Sequence, residues 1–181
     1  MKARIRHLII PALAFSYLAL AGLPAYAEPQ ALTFNCNPAS DKTTWDALEK
    51  RYETIYKYRD QAAGKAKTIQ EADEIKKQNF CIVKTDLNND KIDDLILDFN
   101  FGPQYCTERG CRVQAYTIND RGNWQEVLEV HTKAENIKID TAADKSKTLI
   151  VPIKDRDSWV NVPYLYDARQ KTYRRDRDGS R

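Results

Sequence analysis

The sequence predicts an α+β fold: an N-terminal helical hairpin packed on an antiparallel β-meander of five to seven strands, cross-linked by disulfides. Three observations lead there. Apolar residues recur at threes and fours between Trp45 and Ile69. After residue 79 the period shortens to alternation, broken by short polar turns. Four cysteines follow a leader that reads as an export signal.

The leader occupies residues 1–27. Lys2, Arg4 and Arg6 form a basic start, Leu8 to Leu23 an apolar stretch, and Ala25-Tyr26-Ala27 a small–x–small cleavage pattern, so the cut is expected between Ala27 and Glu28. Pro11 and Pro24 bracket only about a dozen residues, against the roughly 20 that span a bilayer. A lipoprotein would need Cys after the cut, but the first Cys is Cys36. The protein is therefore expected in the periplasm or outside the cell, with no membrane span in the mature chain. The chain carries 29 Lys and Arg against 26 Asp and Glu. Removing the leader's three basic residues leaves these numbers equal. A nucleic-acid-coating protein is not indicated. At 42% hydrophobic and 30% charged, the composition is that of a folded chain.

Residues 28–40 read as an extended arm, with Pro29 and Pro38. A single domain over 41–173 follows. Trp45, Leu48, Tyr52, Ile55, Ala62, Ala66 and Ile69 mark one face of a helix. Thr43 to Asp46 resembles its N-terminal cap. Gly64 interrupts the pattern, and Thr68-Ile-Gln-Glu71 is a capping box that starts a second helix reaching about Lys77. The aromatic stripe Trp45, Tyr52 and Tyr56 is expected in the core.

Seven strands are predicted: 80–85, 94–100, 112–118, 124–132, 136–140, 148–153 and 159–166. Their short connections favour a meander over βαβ units. Pro152 and Pro163 point to edge positions for the late strands. Residues 174–181, rich in Arg, read as a flexible basic tail.

An even cysteine count in an oxidising compartment argues for two disulfides, and four cysteines allow three pairings. The Gly-containing hexapeptide Cys106-Thr-Glu-Arg-Gly-Cys111 closes easily, which favours Cys106–Cys111 and leaves Cys36–Cys81. By chain entropy the long bridge contributes about 4 kcal/mol and the short one about 2 kcal/mol. A zinc site is disfavoured, since Cys36 and Cys81 lack close companions and His131 is the one mature histidine.

The segment with most chemistry is Asp86-Leu-Asn-Asn-Asp-Lys-Ile-Asp-Asp94. Counting Asp86 as the first position, oxygen-bearing side chains fall at positions one, three, five and nine: Asp86, Asn88, Asp90 and Asp94. A tight loop turns alternate residues inward, so these can converge on one cation. Ile92, at position seven, can add its backbone carbonyl. Calcium takes six to eight hard oxygens in loose geometry, with water filling gaps.

This stretch, with Asp94-Leu-Ile-Leu97 after it, resembles the DxNxDGxxD loop of FG-GAP and VCBS-type β-hairpins in exported bacterial proteins. The Cys106–Cys111 loop, the strand Val113–Ile118 and the turn to Trp124 resemble small periplasmic proteins bearing that hairpin. The resemblance covers roughly residues 81–130. It implies a calcium-stabilised β module and no reaction. Two departures stand out. The usual glycine at position six is Lys91, and a left-handed conformation there costs a lysine about 1 kcal/mol. Position twelve is Leu97, so no bidentate glutamate closes the site. Asp98 lies about 13 Å along the strand from Asp94 and does not replace it. Asx turns with the Lys91 ammonium as counter-ion are the metal-free alternative. Asp93 is expected to face solvent.

Catalytic signals are poor. His131 stands alone on a strand, and Ser40, Ser146, Ser158 and Ser180 lack a nucleophile-elbow setting. There is no phosphate-cradling glycine loop. An enzyme is not expected. The expected function is a small exported binding or interaction protein with a calcium-stabilised loop. An inhibitor or immunity protein that plugs a cell-envelope enzyme through the loop Gly102–Cys111 is the alternative. The partner is expected to be a protein or cell-envelope component.

Overall fold

The computed structural model describes residues 28–37, 40–77, 80–100, 105–141 and 147–176. The leader, with Ala27, lies outside the described residues.

The helical segment is divided in three. Helix α1 is Lys42–Arg51, α2 is Glu53–Gly64 and α3 is Ile69–Lys77. The cap of α1 is Asp41, two residues before the expected Thr43. Its carboxylate accepts the Thr44 N–H at 3.2 Å and the Thr44 hydroxyl at 2.7 Å. Lys84 adds a 2.9 Å ion pair, so the cap also ties the helix to a strand. The Thr44 hydroxyl and Lys84 hold the Asp41 carboxyl down at about 2. Helix α1 ends at Tyr52, which bends the chain into α2. At the start of α3, Thr68 Oγ1 accepts the Glu71 N–H at 3.1 Å, while Glu71 reaches back to the Lys67 N–H at 2.8 Å.

The apolar stripe holds only in part. Trp45 and Leu48 are buried, and Tyr52, Ile55 and Tyr56 pack beside them. Ala62 is exposed and Ile69, which opens α3, is 83% exposed, while Ala63 between them is buried.

The single meander is corrected to two sheets. The strands are β1 Gln30–Ala31, β2 Cys81–Thr85, β3 Asp94–Asp98, β4 Cys106–Thr107, β5 Gly110–Ile118, β6 Trp124–Thr132, β7 Lys138–Thr141, β8 Lys147–Asp155, β9 Ser158–Asp167 and β10 Thr172–Arg175. One five-stranded sheet runs β1-β7-β8-β9-β10. The other holds β2, β3, β5, β4 and β6, with β6 on β5. The chain changes sheet at a 3-10 turn, Ala134–Asn136, beside the buried Ile137.

The layers are helices, then the second sheet, then the first. Trp45 and Leu48 meet Phe80, Ile82, Leu95, Leu97 and Phe99 on one face of the second sheet. Val83, Ile96, Val113 and Ala115 meet Ile139, Leu149, Val151 and Tyr173 on its other face. Strand β3 lies in the middle, buried at all five residues. A strand covered on both sides must be apolar on both, which is why it reads Leu-Ile-Leu without alternation.

Strands β8 and β9 are interior in the sheet order. Their prolines nevertheless sit where a neighbour has stopped. The β7–β8 register ends at Ile150, before Pro152, and the β9–β10 register ends at Tyr164, beside Pro163. The expected basic tail also starts late, because Arg174 and Arg175 complete β10.

The cysteines form Cys36–Cys81 and Cys106–Cys111. The first bridge, the β1–β7 pairing and a bridge between Asn35 and Ile82 fasten the arm to both sheets.

Candidate functional site

The elbow between β2 and β3 carries the residues singled out for calcium. Asp86 organises it. Its Oδ1 accepts N–H groups of Asn89 and Asp90 at 2.7 and 3.2 Å, and its Oδ2 that of Lys91 at 3.0 Å. Asn88 Oδ1 accepts the Asp90 N–H at 3.0 Å, and Asn88 Nδ2 donates to Asp90 Oδ2 at 2.9 Å. Asp90 Oδ1 accepts the Ile92 N–H at 2.8 Å. Short polar side chains thus wind the backbone through consecutive Asx turns. Asn89 and Lys91 both take left-handed φ values, 65° and 70°.

Asp94, at the ninth position, behaves differently. It is fully buried and points into the space between the sheets. Oδ2 accepts the Leu87 N–H and Oδ1 the Ile118 N–H, each at 2.8 Å. One carboxyl therefore closes the elbow and pins it to the end of β5. Burial pushes Asp94 up to about 6, opposed by the two N–H donors and reinforced by Asp90 and Asp86. The Tyr173 hydroxyl donates to the Leu87 carbonyl at 3.0 Å, fastening the elbow to the first sheet.

Asp86 and Asn88 are half-buried, Asp90 is exposed, and the Ile92 side chain is half-buried. Asp93 is exposed. Among the described residues no three acidic, histidine or cysteine side chains are grouped to hold a metal ion. Asp86 Oδ2 and the Oδ1 atoms of Asn88 and Asp90 each accept one N–H bond and keep a lone pair, whereas Asp86 Oδ1 accepts two. The exposed Lys91 forms no ion pair among the described residues. A cleft of about 400 Å³ borders the elbow, lined by Asn88, Asp90, Asn119, Trp124, Tyr166 and Lys171 among others.

Two polar features were not singled out from the sequence. The first is a network between α1–α2 and the second sheet. Gln114, 2% exposed, accepts from Tyr52 and Tyr116 hydroxyls at 3.1 and 3.0 Å. Its amide donates to Glu126 and Glu129, each at 2.8 Å. Only the alternation of β5, which sets Gln114 on the helix-facing side with Tyr116, hinted at this. The second is Asp98. It shares the inter-sheet face of β3 with Asp94 and Ile96, is 7% exposed, and its Oδ1 has no hydrogen-bond partner among the described residues.

The hexapeptide hairpin is closed by Cys106–Cys111 and turns at exposed Glu108 and Arg109. Gly110 has φ +91°, and a Cβ there would lie 2.3 Å from the Thr132 carbonyl oxygen, so the hairpin base is pressed onto β6. Gly102 lies outside the described residues. His131 is exposed on β6 opposite Arg112.

No family model, curated protein or solved structure matches the chain.

Proposed function

We propose that the protein is an exported binding module whose β2–β3 elbow is closed by calcium. The observation that carries this reading is Lys91 at φ 70°. A lysine gains nothing from the left-handed region and loses about 1 kcal/mol there. Its adoption at the sixth position supports the backbone path that the resembling loops give a glycine. Asp86, Asn88, Asp90 and the Ile92 carbonyl would hold the cation, with water completing the shell. Asp94 would act chiefly from below, by holding the elbow on β5. The carboxylates of Asp86 and Asp90 form no ion pair among the described residues, which supports a cation from solution. The missing glutamate at position twelve makes the affinity low. Two disulfides support an oxidising location.

Thermal melts test this. Binding to the folded state alone raises the midpoint in proportion to ligand excess. Millimolar calcium should raise it by a few degrees over chelator, and Asp86→Ala should abolish the difference. An unchanged midpoint removes calcium from the reading.

The second reading, a plug for an envelope enzyme, is supported by the Glu108–Arg109 tip on its disulfide-closed base. Capture of an enzyme from envelope extract that survives Glu108→Ala with Arg109→Ala argues against it.

A further inference from the structure

At the end of β3 remote from the elbow, two adjoining clefts share Asp98, Asn100, Ala134 and Glu135. One, of about 440 Å³, runs along Gly110, Cys111, Thr132 and Lys133. The other, of about 350 Å³, is walled by Leu32, Phe34 and the Cys36–Cys81 bridge. Asp98 lies at their junction, nine-tenths buried, with Oδ1 unpartnered among the described residues. A buried carboxyl oxygen without a donor is costly, and native folds seldom leave one idle.

The neighbouring cations are engaged elsewhere. Lys133 holds its ammonium 4.9 Å from the Trp159 ring centroid. Arg112 bonds Glu129 at 2.6 Å and sits over Phe99, toward the helix layer. Glu135 adds a second negative charge at the rim. The groove therefore combines an apolar wall and an acidic floor, and the one cation in its lining among the described residues, Lys133, holds its ammonium over Trp159 rather than on Asp98.

We infer that this groove binds a primary ammonium on an aliphatic stem, with Asp98 as its counter-ion, Glu135 at the rim and Leu32, Phe34 and the disulfide along the stem. Calcium is a poorer occupant, since two carboxylates fall well short of six to eight oxygens. A guanidinium is also poorer, because its fork seeks a carboxylate with both oxygens presented, and one orphan oxygen suits a point charge. A lysine side chain of a partner protein and a free alkylamine share this chemistry. The inference stands apart from the calcium elbow, at the other end of the strand.

The test uses 15N-labelled protein at pH 8, where Asp98, pushed up to about 7, has lost its proton. Nα-acetyl-lysine-N-methylamide is titrated while the amide signals of Asn100, Gly110 and Ala134 are followed. Saturable shifts are expected, with the norleucine analogue binding about tenfold more weakly for want of the charge-assisted bond. Asp98→Asn should abolish the preference for lysine, and the exposed Glu135→Gln should weaken it. Tighter binding of the lysyl compound than of n-pentylamine assigns a protein source. Equal or tighter binding of the amine assigns a free amine. Absence of saturable shifts, equal binding of norleucine, or the same response to calcium chloride overturns the inference.

Discussion

Strand β3 ends in two aspartates that share a face, with Ile96 between them, and the fold treats them oppositely. Asp94 is fully buried and accepts two backbone N–H groups, from Leu87 and Ile118. Asp98 is almost as deep, and its Oδ1 meets no donor among the described residues. Burial lifts both carboxyls, to about 6 and about 7. The pair teaches that depth alone does not assign a role to a buried acid. Where the backbone is arranged to donate, the acid is a strut that fixes a loop. Where it is not, the acid remains a charge in search of a partner.

Asparagine at each end should break the symmetry most strongly. In Asp94→Asn one of two N–H groups faces an amide donor, so a buried donor is orphaned at a cost of about 1–3 kcal/mol, and the elbow loosens from β5. Asp94→Ala orphans both and should cost about 2–5 kcal/mol by urea denaturation. A loss below about 1 kcal/mol would show that Leu87 and Ile118 find other acceptors.

Asp98→Asn should act in the opposite direction. The folded carboxyl titrates near 7, while the ordinary value is 3.8. Between those values the folded chain keeps a proton that the unfolded chain has released, so this group's contribution to stability falls as pH rises and then levels off. The cause is burial, then Glu135; Lys133 and Arg112 are turned to Trp159 and Glu129 and do not offset it. At pH 8 the asparagine variant should be more stable by up to about 4 kcal/mol. The difference should vanish near pH 4. A constant difference across the range would place the effect in packing rather than in the proton.

Much of this architecture is legible in the sequence, and the gaps have physical causes. The stripe from Trp45 to Ile55 and the alternation of β5 and β6 follow from burial on one face, which leaves a period to read. The division into two sheets is not periodic information. Its sign is the unbroken Leu95-Ile-Leu97 of β3, which demands cover on both faces and reads equally well as one strong strand. The turn that moves the chain between sheets, Ala134–Asn136, resembles any short connection. Strands β1 and β4 are two residues long and cannot show a period. The elbow's oxygens are visible from spacing, because Asx turns are local. The inward turn of Asp94 and the idle oxygen of Asp98 depend on distant partners, Ile118 in one case and the lack of any among the described residues in the other. Sequence spacing contains neither.

The smallest expected effect sharpens the contrast at the elbow itself. Lys91 holds φ 70° with its side chain exposed, no ion pair among the described residues, and its N–H on Asp86 Oδ2. Replacing it by glycine removes the steric cost of the left-handed conformation, but adds freedom to the unfolded chain, and the two effects oppose each other. The net gain in chelator should be at most about 0.5 kcal/mol, read from urea midpoints. Loss of the ammonium also leaves Asp86 and Asp90 with less positive charge nearby, so calcium should raise the midpoint of Lys91→Gly more than that of the parent. If instead the variant is destabilised in chelator and calcium does not restore it, then Lys91 was acting as the elbow's own cation. Asp94 alone would then hold that end of β3, as a strut with no metal above it.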